Sequence, residues 1–171
     1  MNRLEAIVQA SVRTVRDLGI ERWSMDRVAR GTPCAKGLLV HHFGTRAGLL
    51  AETALQIAAV RSSQRVAALR PSAGPPELEA LWTVIAEDGA NGISRAVFAL
   101  AAQGYPTAAA DDPIKLQLAA ARCLGIPPDA MAGPTALFAM VEGIEFQLVS
   151  GRGPREVKAA FDRLWVTMIE A

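Results

Sequence analysis

Lys36, His41, His42 and Arg46 place four cations or potential cations within an eleven-residue span. Such a set suits contact with phosphates, whose charge a protein neutralises with basic side chains. Enzyme chemistry finds less support. No spaced carboxylate pair, nucleophile with a base, or phosphate-cradling glycine loop stands out, and adjacent histidines suit neither a helical metal site nor a catalytic triad. No catalytic residue, metal or cofactor is expected.

The elements that position these residues can be read from Ser24 to Phe43. Ser24 is a good N-cap, and Asp26 follows where the positive end of a helix dipole favours a carboxylate. Met25, Val28 and Ala29 give that helix one apolar face. Gly31, Thr32 and Pro33 break it, and since proline is tolerated in a first turn, a second helix is expected from Pro33 or Cys34. Leu39 and Phe43, four apart, share its inner face. Helix, tight turn and helix over residues 24–43 is the layout of a helix-turn-helix, whose second helix enters a DNA major groove. Lys36, Leu38, Val40 and His41 are then the side chains offered to DNA.

The rest of the chain reads as helices divided by glycine and proline. Leu4, Ile7, Val8, Val12, Val15 and Leu18 recur at helical spacing before Gly19, a C-terminal stop. Thr45 can cap a long helix from Arg46 to about Leu69, after which residues 71–76 read as a linker. Further helices are expected near Pro76–Asp88, Ser94–Ala102, Pro113–Leu124, Pro134–Ser150 and Pro154–Ile169, with Gly89, Gly104, Pro127-Pro128 and Gly151 among the breakers. No strand pattern of useful length appears. The expected fold class is all-α, with a helix-turn-helix domain over 1–50 joined by the long helix to a helical domain over 51–171.

Composition is consistent with this. The 171 residues are 51% hydrophobic, enough for a core, yet no apolar run reaches the roughly 18 residues a membrane span needs. A cytoplasmic protein without a membrane partner is expected. Cys34 and Cys123 lack the paired spacing of a zinc or redox site and read as small core residues. The net charge of +1 hides an asymmetry, with eleven bases against five acids up to Arg70 and seven against twelve beyond. A basic N-terminal part attracts DNA, while an acidic remainder is freer to bind something else.

Gly37, Leu39, His42 and Phe43, followed by Gly44, Thr45, Arg46 and Leu49-Leu50, resemble the signature of TetR-family repressors. Ile7 to Gly19 resembles the family's first helix, and Val28-Ala29 the apolar pair of its second. Leu137 to Leu148, with Val141-Glu142-Gly143-Ile144, resembles the penultimate helix, especially of the BetI-like branch. The resemblance implies DNA contacts from Ser24, Ala35, Lys36, Gly37, Leu38, Val40, His41, His42 and Arg46. Arg46 opens a helix, where a cation opposes the dipole unless a phosphate is near. Pro33, Cys34 and Ala35 depart from a common Gly-Val-Ser, and Val40 replaces a frequent aromatic. These departures remove hydrogen bonds to phosphate but leave Leu38 or Val40 able to touch a thymine methyl.

The resemblance also implies a ligand-binding, dimer-forming C-terminal domain. Trp82, Phe98, Tyr105, Phe138 and Phe146 are large side chains available to line an apolar cavity, and Glu142 could recognise a polar group on an unknown small-molecule effector. A palindromic operator requires two copies of the single reader. Leu137, Val141, Ile144 and Leu148 form one stripe and Val157, Phe161, Leu164 and Met168 another, which would pair as a four-helix bundle in a homodimer. The implied function is a ligand-responsive repressor released from double-stranded operator DNA. The rival reading is a helical small-molecule-binding or scaffold protein with degenerate, weak DNA affinity.

Overall fold

Local signals start the helices. Asn2 accepts from the N–H groups of Leu4 and Glu5 while Glu5 accepts from that of Asn2, a reciprocal cap that opens α1, Arg3–Leu18. Gly19, at φ +76°, closes it by donating to the Val15 carbonyl. This computed structural model describes residues 2–70 and 78–170, and of residues 168–170 the backbone alone. After α1 come α2 (Met25–Arg30), α3 (Lys36–Phe43), α4 (Arg46–Ala68), α5 (Leu78–Ala90), α6 (Ile93–Ala102), α7 (Asp112–Leu124), α8 (Pro134–Val149) and α9 (Pro154–Glu170), with a 3-10 turn at Pro128–Ala130. The fold is all-α, and no strand occurs among the described residues. No described helix is long and apolar enough to cross a membrane.

The chain forms two compact units, residues 1–60 with 91–109 and residues 61–90 with 110–171. That division differs from the expected boundary at residue 50, because Ala96, Val97 and Leu100 of α6 join the core of the first unit. An apolar helical face shows in sequence that it will be covered, but not by which neighbour.

In the first unit Ile7, Ala10 and Val15 of α1, Val28 of α2, Leu39 of α3 and Leu49, Leu50, Ala54 and Ile57 of α4 form one core. The ends of the α1 stripe, Leu4 and Leu18, stay exposed. A buried polar chain runs through this core. The Trp23 indole donates to Ser11 Oγ at 2.9 Å, Ser11 and Thr53 hydroxyls lie 2.6 Å apart, and Thr53 donates to the Leu49 carbonyl at 2.6 Å. Every member is satisfied when Ser11 donates to Thr53, so the chain fixes α1, the segment before α2, and α4 in one arrangement. Gly48 completes it, since a Cβ there would lie 2.2 Å from the Phe43 carbonyl oxygen.

The second unit packs α5, α7, α8 and α9 with the end of α4. Its core holds Leu81 and Ile85, Leu116 and Ala120, Leu137, Val141 and Ile144, and Val157, Phe161 and Trp165. Gly89 does not end α5 as its residue type suggests. It lies inside the helix and faces Leu148 of α8, whose Cβ and Cδ1 would be 3.4 Å from an added Cβ, so it serves close packing. The expected linker over 71–76 and a helix start near Pro76 lie outside the described residues.

Thr53→Val keeps the shape of the side chain but leaves Ser11 without its acceptor. A loss of roughly 1–3 kcal/mol is expected in urea unfolding, and Ser11→Ala should cost less in that background than alone. Independent, additive losses would show that the hydroxyl chain does not act as a unit.

Candidate nucleic-acid interface

The reader is built from α2, a turn and α3. Ser24 caps α2 by accepting from the Arg27 N–H at 3.3 Å, and its own hydroxyl proton remains available to an outside acceptor. Thr32 holds the turn, donating from both its N–H and its hydroxyl to the Ala29 carbonyl. The second helix begins at Lys36, not at Pro33 or Cys34. The turn extends through those residues, and Ala35, extended at φ −68° and ψ 147°, caps α3 with its carbonyl and no side-chain bond. Ala35 itself is exposed.

Leu39 is fully buried, while Leu38, Phe43 and Cys34 are half-buried against the same core. Leu38 thereby packs inward. Gly37, Val40, His41 and His42 are exposed. The two imidazoles meet edge to face at 5.0 Å, and His42 meets Phe43 at 6.5 Å.

Two of the expected cations have partners within the unit. Lys36 Nζ lies 2.9 Å from Asp26 Oδ1, with both side chains more than half exposed, 56% and 63%. An exposed pair of this kind is worth little, so Lys36 can exchange Asp26 for a phosphate at small cost. Arg46 donates to the Ile20 carbonyl at 3.3 Å and sits 5.4 Å over the Trp23 ring. These contacts compensate its place at the start of α4, and the dipole argument for a phosphate there falls away.

The second unit contains a charge cluster that sequence reading missed. Arg61 and Arg65, one turn apart on α4, both bind the carboxylate of Glu145, and Arg65 also donates to Glu142 at 3.0 Å. Glu142 stands 3.4 Å from Arg61, and Asp88 of α5 lies 3.6 Å from Arg61 Nε. Arg61, Arg65, Glu145 and Asp88 are all buried. Two of the eleven N-terminal bases are thus enclosed with acids and cannot meet DNA. The i,i+4 spacing of Arg61 and Arg65 and the i,i+3 spacing of Glu142 and Glu145 were visible, but nothing in the sequence paired them.

Burial works against the charge of Arg65, yet Glu145 and Glu142 outweigh it and hold its guanidinium above the ordinary value. For Asp88 burial prevails. It pushes the carboxyl up, Glu145 adds to the effect, and Arg61 and Arg65 pull the other way without cancelling it. Asp88 Oδ2 also lacks a hydrogen-bond donor.

The side chains expected to line a ligand cavity divide between the two units. Phe98 and Tyr105 belong to the first unit, while Trp82, Phe138, Glu142 and Phe146 belong to the second. Trp82 packs on Phe161 at 5.6 Å, Phe138 lies against the core, Glu142 serves the charge cluster, and Phe146 is exposed. Their size marked them for a core or an edge, as aromatic residues usually are.

Most residues of the expected dimer stripes pack in the core of the second unit. Leu137, Val141, Ile144, Val157 and Phe161 are buried in its core, Leu148 and Leu164 are half-buried, and the Met168 side chain lies outside the described residues. An apolar repeat reports the face turned to the nearest neighbours, which here belong to the same chain. Ala136, Ala139, Gly143, Gln147 and Ala160 line an open groove of about 630 Å³ between α8 and α9. Ile144, Val157 and Leu164 of those stripes also line this outward groove, beside Met140, Arg152 and Glu156.

No protein-family model matches the chain, and no curated protein does. Solved structures do. The chain is similar to multidrug binding protein EbrR, crystallised as a complex with imidazole, with a TM-score of 0.65 and 24% identity over 95% of this chain and 89% of that one. It is similar to the TetR transcriptional regulator SCO0520 from Streptomyces coelicolor, with a TM-score of 0.54 and 26% identity over 99% and 97% of the two chains. SCO0253, a TetR-family transcriptional regulator from the same organism, gives 0.51 and 19% over 95% and 89%. The fold is that of a TetR-family regulator. In a TetR-type fold the helix-turn-helix is N-terminal and the rest is helical, which is where α2 and α3 stand in this chain.

Asp88 yields a test of the charge cluster. Its folded carboxyl is raised above the ordinary 3.8, so the folded state holds a proton the unfolded state releases, and stability falls as pH rises through that interval. Asp88→Asn should therefore unfold at a higher temperature than the parent at pH 7. The difference should close as pH falls below the ordinary 3.8, where both states become protonated. A less stable variant at pH 7 would mean that the Arg61 pair outweighs the cost of burial.

Proposed function

We propose that the chain is a TetR-family regulator of transcription that binds double-stranded DNA through α3. The carrying observation is the capped α2, the ordered turn, and an α3 whose outer face, Gly37, Val40 and His41, is exposed while Leu39 anchors it. Lys36, His41, His42 and the Ser24 hydroxyl supply contacts to phosphate in this reading. Asp26 competes for Lys36 and is displaced on binding. The resemblance of Val141-Glu142-Gly143-Ile144 in α8 supports the BetI-like branch.

The reading includes a homodimer, because a single recognition helix per chain reads a palindrome in pairs about 34 Å apart. The groove along α8 and α9 is its interface, and the occupant is the same face of a second copy. Gly143 supports this. It costs helix stability relative to alanine, yet an added Cβ would meet nothing within 4 Å inside the chain. Close approach of a second α8 gives it a reason. Control by a small molecule acting on the second unit is supported by the likeness to a multidrug binding protein held with imidazole. Release from an operator follows if that molecule prefers the state that does not bind DNA.

Binding to duplex selected from a random library should weaken steeply with salt, and Lys36→Ala should lower the slope of log K against log salt by about 1. No selected duplex, or affinity indifferent to salt, sinks the regulator reading. For the dimer, Gly143→Glu should give a monomer by analytical ultracentrifugation with unimpaired helicity and at least tenfold weaker operator binding. A parent that is already monomeric, or a variant that stays dimeric, removes α8 and α9 as the interface.

A further inference from the structure

The exposed side of α3 carries Lys36, His41 and His42 and, among them, the aliphatic side chain of Val40. Its sequence, Lys36 to Phe43, contains no Arg, Asn, Gln, Asp or Glu, which leaves Lys36, paired with Asp26, as its member of the residue set that reads base edges by paired or accepting hydrogen bonds. Successive residues turn by about 100°, so with Leu39 and Phe43 facing inward, Gly37 and His41 point most directly away, with Leu38 and Val40 on the two flanks. Lys36 lies at the margin, next to Asp26.

Two features of this face are unexplained by the protein itself. Val40 is 46% exposed, a β-branched aliphatic side chain left in water on a helix of eight residues. Gly37 has an ordinary helical backbone, and a Cβ at that position would meet nothing within 4 Å. Gly48 makes the contrast, because the Phe43 carbonyl forbids any side chain there. Alanine at 37 would fit the chain and favour the helix, so the clearance that glycine provides faces outward.

In the major groove the apolar feature of the base edges is the C5-methyl of thymine. Resting on the regulator reading above, we infer that Val40 is a specificity-determining residue that recognises a thymine methyl in each operator half-site. Gly37 supplies the clearance that lets α3 approach closely enough for van der Waals contact. Leu38, the other aliphatic candidate, is half-buried against the core and less exposed than Val40. Sequence preference at that base pair then comes from methyl burial, not from a hydrogen bond.

The experiment uses the full chain and a duplex selected from a random library, with each thymine replaced in turn by deoxyuridine, which removes the methyl and nothing else. At one thymine per half-site the parent should bind about fourfold more weakly to the uridine form, the effect of exposing one methyl-sized group. Val40→Ala should bind the two forms equally. Gly37→Ala should bind every form more weakly while unfolding at an unchanged or higher temperature. If no thymine methyl affects the parent, or if Val40→Ala keeps the same sensitivity, the inference is overturned while the regulator reading stands. If the chain selects no duplex at all, both fall together.

Discussion

Glu145 sets the strictest requirement in the second unit. Its carboxylate is fully buried, and a buried charge is tolerable when paired and hydrogen-bonded, which Arg61 and Arg65 achieve from two successive turns of α4. The arrangement admits little slippage. Sliding α4 along α8 by one residue would turn both guanidiniums away and strand three acids, Asp88, Glu142 and Glu145, in or beside an apolar core. Hydrophobic contacts among Leu81, Val141 and Phe161 supply non-directional attraction. The ion cluster supplies register, and Gly89 allows α5 and α8 to come close enough for Asp88 to take part.

In the first unit hydroxyl groups replace charges in the same task. Trp23, Ser11 and Thr53 form a directional line that ends on the Leu49 carbonyl, so α1 and α4 are held in defined rotation and the segment entering α2 is tied to both. Arg46 extends this by bonding the Ile20 carbonyl across the ring of Trp23. On that rigid frame α3 needs few anchors of its own. Leu39 seats it, Leu38 and Phe43 steady it, and the opposite side is left bare.

What the sequence disclosed follows from how local each signal is. Caps and breakers act within a turn or two, and Ser24, Gly19 and Thr45 placed their helix ends as local chemistry requires. Periodicity located the inward faces of α1, α8 and α9. It could not tell a neighbour in the same chain from one in another, which is why Leu137 and Phe161 read as an interface and are core. Charge counting failed for a related reason. Arg61 and Arg65 were summed as DNA-facing bases, whereas their partners Glu142 and Glu145 lie 77 to 84 positions away in sequence. Arg46 looked misplaced only because the Ile20 carbonyl and the Trp23 ring are brought to it by folding.

The glycines carry a complementary kind of information. A helix loses stability at glycine relative to alanine, so each helical glycine asks for a compensating contact or clearance. Gly48 answers with the Phe43 carbonyl and Gly89 with Leu148, both within the chain. Gly37 and Gly143 have no such answer, and both lie on exposed helix faces, one on α3 and the other along the groove of α8 and α9. The fold thus leaves two helices weakened at their surfaces with no reason inside the chain. A partner that must come closer than a methyl group allows would account for both, and in the proposed function these partners are base pairs at α3 and a second copy of the chain at α8.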